Sequence, residues 1–118
     1  RTRTVFPHMT PAKLYLVTRA DLEPGAQLAQ TAHVALRFAL DRPEEALAWQ
    51  KGGEVVVVLA ARDEIALRSL VFGAALAGCS PSVLYEPDMG PAPTAIALAS
   101  SDVADRFVKR LPLAMSRE

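Results

Sequence analysis

The sequence has one cysteine, Cys79. A disulfide framework within the chain is therefore excluded, and so is a zinc site built on several thiolates. A reducing cytoplasm suits such a chain. Long apolar runs are also missing. The longest, Val55–Ala61, has seven residues, far short of the ~18 that a membrane span needs, and no stretch has the layout of a signal peptide. Charge of one sign is not in excess, since 13 Lys and Arg stand against 13 Asp and Glu. Arg1–His8 look unlike the rest of the chain and stand directly before Met9, as at a cloning junction. They read as added sequence, with one domain over 9–118. Without Arg1 and Arg3, 11 basic residues face 13 acidic ones. A nucleic-acid partner then needs a local basic patch, because such binding rests on phosphate neutralisation. There is no P-loop, no GxGxxG, no GxSxG and no metal-ligand spacing, and no cofactor is implied.

The composition is globular, with 51% hydrophobic and 22% charged residues in a chain of 118, enough for one domain with a real core. Lys13–Thr18 is a β-rich run and a first strand. Asp21–Gly25 carries turn residues. Ala26–Leu40 predicts a helix, because Leu28, Ala29, Ala32, Ala35, Leu36, Ala39 and Leu40 recur at the helical period. Pro43–Lys51 predicts a second, short helix, with Pro in its first turn and Glu44 and Glu45 favourable to its dipole. Glu54–Ala61 is the clearest strand. Its four successive valines leave no polar face, which predicts burial on both sides. A third helix starts at Arg62 or Asp63 and runs to about Ala77, with Gly78 placed to cap it. Ser82–Glu86 and Thr94–Ala99 are two more strands, separated by the Pro- and Gly-rich loop Pro87–Pro93. Ser100 or Ser101 caps a last helix that Pro112 ends. The order β-α-α-β-α-β-β-α, with one strand buried on both faces, predicts a three-layer α/β/α sandwich.

Chemistry has few places to sit. On a wheel at ~100° per residue, Gln30, His33 and Arg37 lie together beside the apolar arc of the first long helix, with Gln27 further round. An amide, an imidazole and a guanidinium can recognise an ester, an amide or a phosphate, and a solvated helix face explains the same pattern. The helix start, Pro24-Gly25, has no Ser, Thr or Asp directly before it. Its free N–H groups could hold an anion, unless Asp21 reaches back to cap them. Asp88 follows a strand, where sites form in α/β folds, and Glu86 is a competing carboxylate. It could also be an ordinary turn aspartate. Trp49 reads as a packing residue and Cys79 as inert. Arg106, Lys109 and Arg110 form a basic end on the last helix, favourable to its dipole. Val34 and Phe38 fall on the polar side of the first helix, where an exposed apolar pair suits a homodimer contact.

These pieces together resemble one family, the type-2 peptidyl-tRNA hydrolases of the archaeal and eukaryotic kind. The likeness runs from about Lys13 to Leu113. It begins with KLYLVTRADLEPG, similar to the family's strand, Arg-x-Asp-Leu and Gly-rich turn. It continues through Gly25, Ala29, Gln30 and His33 at the spacing of the family's Gly-Lys-x-Ala-Ala-Gln-x-x-His-Ala signature. Trp49 before a strand, Ala77-Gly78 with Pro81 after it, and Asp88-x-Gly90 come next in the family order. The resemblance implies a small mixed four-stranded sheet inside the sandwich. It also implies metal-independent hydrolysis of the ester that joins a peptide to tRNA, with the site between the first long helix and the Asp-x-Gly loop. Gln30, His33 and Asp88 match its site positions, and Gly25, Gln27, Arg37, Gly90 and Thr94 are the expected substrate contacts. Two positions depart from the pattern. The signature lysine falls at Ala26, and the threonine after Asp-x-Gly falls at Ala92. Alanine at 26 can neither hold a phosphate nor stabilise an oxyanion. A non-catalytic relative that binds tRNA or a small ligand, or a dimeric interaction module, therefore stands beside the hydrolase. If Arg19, Arg37, Arg106, Lys109 and Arg110 converge around His33, the nucleic-acid partner gains.

Overall fold

The computed structural model describes residues 12–89 and 91–116. The N-terminal segment Arg1–His8, which reads as added sequence, and Gly90 lie outside them. The elements are β1 (Lys13–Arg19), α1 (Pro24–Asp41), α2 (Pro43–Lys51), β2 (Val55–Ala61), α3 (Glu64–Leu76), β3 (Ser82–Tyr85), β4 (Pro93–Ala99) and α4 (Asp102–Val108), with a single 3-10 turn at Pro87–Met89. The predicted order holds. The sheet is mixed and four-stranded, in the order β2-β1-β4-β3. β1 and β2 are parallel, and β4 runs antiparallel to both β1 and β3. Hence β1, β2 and β3 share one direction, and their carboxyl ends lie along one end of the sheet.

Alternation along the strands sends side chains to two cores. Tyr15, Val17, Ile96 and Leu98 pack with Leu67, Leu70 and Ala74 of α3 and with Ala104 and Val108 of α4. Leu14, Leu16, Ala95 and Ala97 pack with Val34 and Phe38 of α1, and Trp49 of α2 joins this side. The result is the three-layer sandwich. Local signals explain the helix ends. Asp63 accepts from the Ala66 N–H at 2.9 Å and Ser101 from the Ala104 N–H at 3.0 Å, so both are side-chain N-caps. Gly78 takes φ +91°, the left-handed turn after α3 that glycine adopts without strain. α4 stops at Val108 rather than at Pro112. The Leu111 N–H bonds to Val108 O, and the chain then turns toward β2.

Two expectations are corrected. β2 is not buried on both faces along its length. It is an edge strand, and Val56 is 47% exposed. Only Leu59–Ala61 are fully buried, where the C-terminal segment runs beside them. There the Ala60 N–H bonds to Pro112 O and the Ala114 N–H to Val58 O, so residues 112–114 cover part of the edge. A valine run records strand propensity, not position in the sheet.

The second correction concerns α1. Val34 and Phe38 are not an exposed pair; they are 0% and 2% exposed and form the core beneath the helix. The helix buries Gln27, Thr31, Val34 and Phe38. The longer apolar arc points outward, with Leu28, Leu36 and Leu40 at 60%, 66% and 80% exposure. The two polar residues on the inner face bond locally, Thr31 through its hydroxyl and Gln27 through its Nε2 alone. Thr31 Oγ1 donates to the carbonyls of Gln27 or Leu28, and Gln27 Nε2 donates to Leu22 O at 2.8 Å. The burial of Thr31 therefore costs little, while Phe38 contributes about 3 kcal/mol by leaving water.

Candidate functional site

The carboxyl ends of β1, β2 and β3 gather the chemistry-bearing side chains. In open α/β sheets this is where ligands bind. β1 ends in Arg19, which is 8% exposed. Its guanidinium grips Asp21 with two hydrogen bonds, Nε to Oδ1 at 3.1 Å and Nη2 to Oδ2 at 2.8 Å, and Nη1 reaches Pro93 O at 3.4 Å. The hydrogen bond to Arg19 holds the Asp21 carboxyl below its usual range, and the same bond raises the Arg19 pKa further. Asp63 and Glu64 add to the negative field around Arg19. Arg19 is therefore a structural cation engaged by Asp21.

Because Asp21 is held by Arg19, it does not cap α1. The residue before the helix is Glu23, whose side chain makes no cap hydrogen bond. The Gln27 N–H bonds to Glu23 O, which leaves the Gly25 and Ala26 N–H groups without a partner inside the helix. A Cβ at Gly25 would meet nothing within 4 Å. The start of α1 is thus open and uncapped, as the sequence allowed. Beside it, Gln27 is 5% exposed and its Oε1 has no hydrogen-bond partner.

One turn further along, Gln30 is fixed at both ends of its carboxamide. Its Nε2 donates to Glu86 Oε2 at 3.1 Å, and its Oε1 accepts from Thr94 Oγ1 at 2.8 Å. Glu86 as a carboxylate can only accept, so the amide cannot turn over without losing that bond. Thr94 is 0% exposed, and Thr18 Oγ1 donates to Thr94 O at 3.0 Å. This arrangement ties α1 to β1, β3 and β4 at the sheet end. One N–H of Gln30 Nε2 is left over for a ligand.

The other expected residues are less engaged. Asp88 is exposed on the 3-10 turn, two residues past Glu86. His33 and Arg37 are exposed on the flank of α1. Neither they nor Asp88 has a side-chain hydrogen bond among the described residues. The structure thus brings together Gln30 and Thr94, and it leaves His33, Arg37 and Asp88 in solvent. Gly90 falls outside the described residues. Thr18 is the member of the cluster that sequence reasoning missed. Its only signal was a hydroxyl at the end of an otherwise apolar strand. Glu86, named only as a competing carboxylate, is the one that makes the contact.

The five cations do not converge on His33. Arg37 belongs to α1, on one face of the sheet, whereas Arg106 is on α4 and Lys109 and Arg110 come directly after it, on the other face. Arg19 is buried and paired. Among the described residues no group of three or more His, Cys, Asp and Glu is arranged to hold a metal ion. None of the described helices is long and apolar enough to cross a membrane.

No family model matches the chain, and no curated protein matches it. Among solved structures, the fold is similar to that of a protein of unknown function from Agrobacterium tumefaciens strain C58. The TM-score is 0.64 at 19% identity, covering 89% of this chain and 98% of that one. The likeness is one of fold.

Proposed function

We propose that the chain is a peptidyl-tRNA hydrolase-like protein that cleaves, without a metal, the ester between a peptide or N-blocked amino acid and tRNA. The observation that carries this reading is the doubly held Gln30, fixed between Glu86 and Thr94 beside the open start of α1. A carboxamide fixed in this way offers its remaining N–H to an ester carbonyl without reorganising, and preorganised donors are what acyl transfer requires. In this reading the Gly25 and Ala26 N–H groups and Gln30 stabilise the developing oxyanion. Asp88, on the loop after β3, orients and deprotonates the attacking water, with His33 alongside. The water oxygen bonds to the acyl carbon, the acyl–oxygen bond breaks, and the proton taken from the water goes to the leaving tRNA hydroxyl. Gln27, Arg37, Gly90 and Thr94 are the expected substrate contacts, Thr94 acting through Gln30. A cytoplasmic location and a homodimer belong to the same reading.

A second reading is a non-catalytic relative that binds tRNA or a small ligand at this sheet end. Three observations favour it: the cations are split between the two faces, Arg19 is engaged by Asp21, and Ala26 stands at the signature lysine position. Single-turnover hydrolysis of an N-acetyl-aminoacyl-tRNA separates the two. Release that Asp88→Ala abolishes is expected of the hydrolase. Release by Ala26→Lys alone indicates a scaffold that has lost its chemistry. No release by either protein, even at high concentration, retires the hydrolase reading for this substrate.

A further inference from the structure

We propose that a groove at the sheet end opposite Gln30 binds a free α-amino acid with an apolar side chain, held as its zwitterion between Arg42 and Glu45. Gln30 stands where β1 and β3 finish. The groove lies at the other end, where β4 runs out toward α4. It encloses about 380 Å³ between the start of α2, the turn after α3 and the start of α4. Small-molecule sites begin at about 300 Å³, so a metabolite of amino-acid size fits it.

Arg42 is the single residue between α1 and α2. Its Nε donates to Oγ of the buried Ser82 at 3.3 Å, which anchors the guanidinium. The remaining N–H groups, on Nη1 and Nη2, have no hydrogen-bond acceptor among the described residues. The Glu45 carboxylate stands 3.9 Å from Nη1, too far for a hydrogen bond. One cation and one anion therefore stand side by side in the groove, and they are the only charged residues lining it. Two hydroxyls add donors. Ser100 Oγ accepts from the Lys13 N–H at 2.9 Å and Ser101 Oγ from the Ala104 N–H at 3.0 Å, so each keeps its own proton to donate. Leu98 and Val103 supply an apolar wall.

These groups select the ligand. A phosphate or a simple organic acid uses the donors but meets Glu45 as a like charge. An amine meets Arg42 in the same way. An α-amino acid carries both charges on neighbouring carbons, and its net charge of zero matches that of the Arg42–Glu45 pair. Its carboxylate accepts from the Nη groups and the serine hydroxyls, a geometry that guanidinium recognises well. Its ammonium donates to Glu45. Its side chain then lies against Leu98 and Val103, leaving water. Binding there needs neither Gln30 nor the ester chemistry.

The test is titration of the full chain with leucine, followed by backbone amide NMR shifts. Leucine should move the signals of Cys79, Ser100 and Ser101 with a Kd of ~1 mM, the scale open to so small a ligand, and leave Gly25 and Gln30 unmoved. 4-Methylpentanoate lacks the ammonium and 3-methylbutylamine lacks the carboxylate. Each should bind about tenfold more weakly or worse, the scale of one hydrogen bond to a charged group. Glu45→Gln, at a side chain 53% exposed, should keep the fold, weaken leucine about tenfold and leave 4-methylpentanoate no weaker. Arg42→Gln should abolish both. The inference is overturned if the groove signals stay still at ~50 mM leucine, fifty times that Kd. It is also overturned if 4-methylpentanoate or inorganic phosphate binds as well as leucine, or if Glu45→Gln binds leucine like the wild type. None of these outcomes depends on hydrolysis, so this inference and the proposed activity fail separately.

Discussion

The hydroxyl of Thr94 donates to the side-chain oxygen of Gln30 at 2.8 Å, joining residues 64 apart in the chain. Neither side chain alone predicts the contact. It exists because α1 crosses the sheet end where β4 begins, and because Glu86 takes the other end of the same carboxamide. Thr94→Val keeps the shape and removes the donor, leaving Gln30 Oε1 without its protein partner. The expected cost is about 1–3 kcal/mol in urea unfolding. Glu86→Gln, at a half-buried position, should cost under ~1 kcal/mol. If Gln30 acts on an ester, both variants slow single-turnover release at unchanged fold. A Thr94→Val protein with wild-type stability would show that the bond is not made in solution.

The Tyr15 hydroxyl donates to Asp105 Oδ1 at 2.6 Å from inside the α3–α4 core. Burial first, and then this bond, push the Tyr15 pKa up from 10.0 to about 12. A group whose folded pKa is raised contributes stability that is fully present below its unfolded pKa. That contribution is lost as pH rises from about 10 to about 12, and the loss amounts to roughly 2–3 kcal/mol. Phenolate absorbance should therefore show one tyrosine titrating late, and Asp105→Asn should move it part of the way back, because burial remains.

The Arg19–Asp21 pair makes an opposite prediction at acid pH. The bond to Arg19 lowers the Asp21 pKa, so its contribution is present above the ordinary aspartate range and is lost as pH falls through the lowered value. Asp21→Ala leaves a buried guanidinium without its carboxylate. A fully buried pair broken in this way costs about 3–5 kcal/mol; with Asp21 partly in water, roughly 1–3 kcal/mol is expected. Wild-type and Asp21→Ala unfolding curves should converge as the pH falls to a value below the ordinary aspartate range. Parallel curves down to that pH would rule the linkage out.

The orientation of α1 can be checked by truncation. Phe38→Ala empties a core site and should cost about 3–5 kcal/mol. Leu36→Ala, on the outer face, should stay within ~0.5 kcal/mol in dilute solution. Equal costs would mean that the helix packs on the sheet through a different face.

Much of the architecture was legible in the residues. The element order came from period, from Pro and Gly, and from capping residues such as Asp63 and Ser101, because these act within a few positions of chain. The absence of a capping residue directly before Pro24-Gly25 was legible in the same way, but whether Asp21 reaches back to cap the helix was not. The face of α1 that enters the core was not. The helix has two apolar arcs, and periodicity cannot say which one the sheet takes. Nor was the edge position of β2, since four valines favour extended chain wherever the strand lies. The pairing of Arg19 with Asp21, two residues apart, was within reach of the sequence, yet Asp21 could equally have capped the helix. Only the burial of Arg19 against Pro93 decided between them.

The sequence by itself determined a β-α-α-β-α-β-β-α chain and a short list of polar residues able to act on an ester or an anion. Tertiary structure alone decided which of them meet. It joined Gln30 to Glu86 and Thr94, left His33, Arg37 and Asp88 in solvent, divided the cations between two faces, and turned the leucines of α1 outward. The physical reason is range. Propensity, capping and period act over a turn of helix or a pair of strand residues. Contacts across 56 and 64 residues, such as those of Gln30, depend on how the layers pack as a whole.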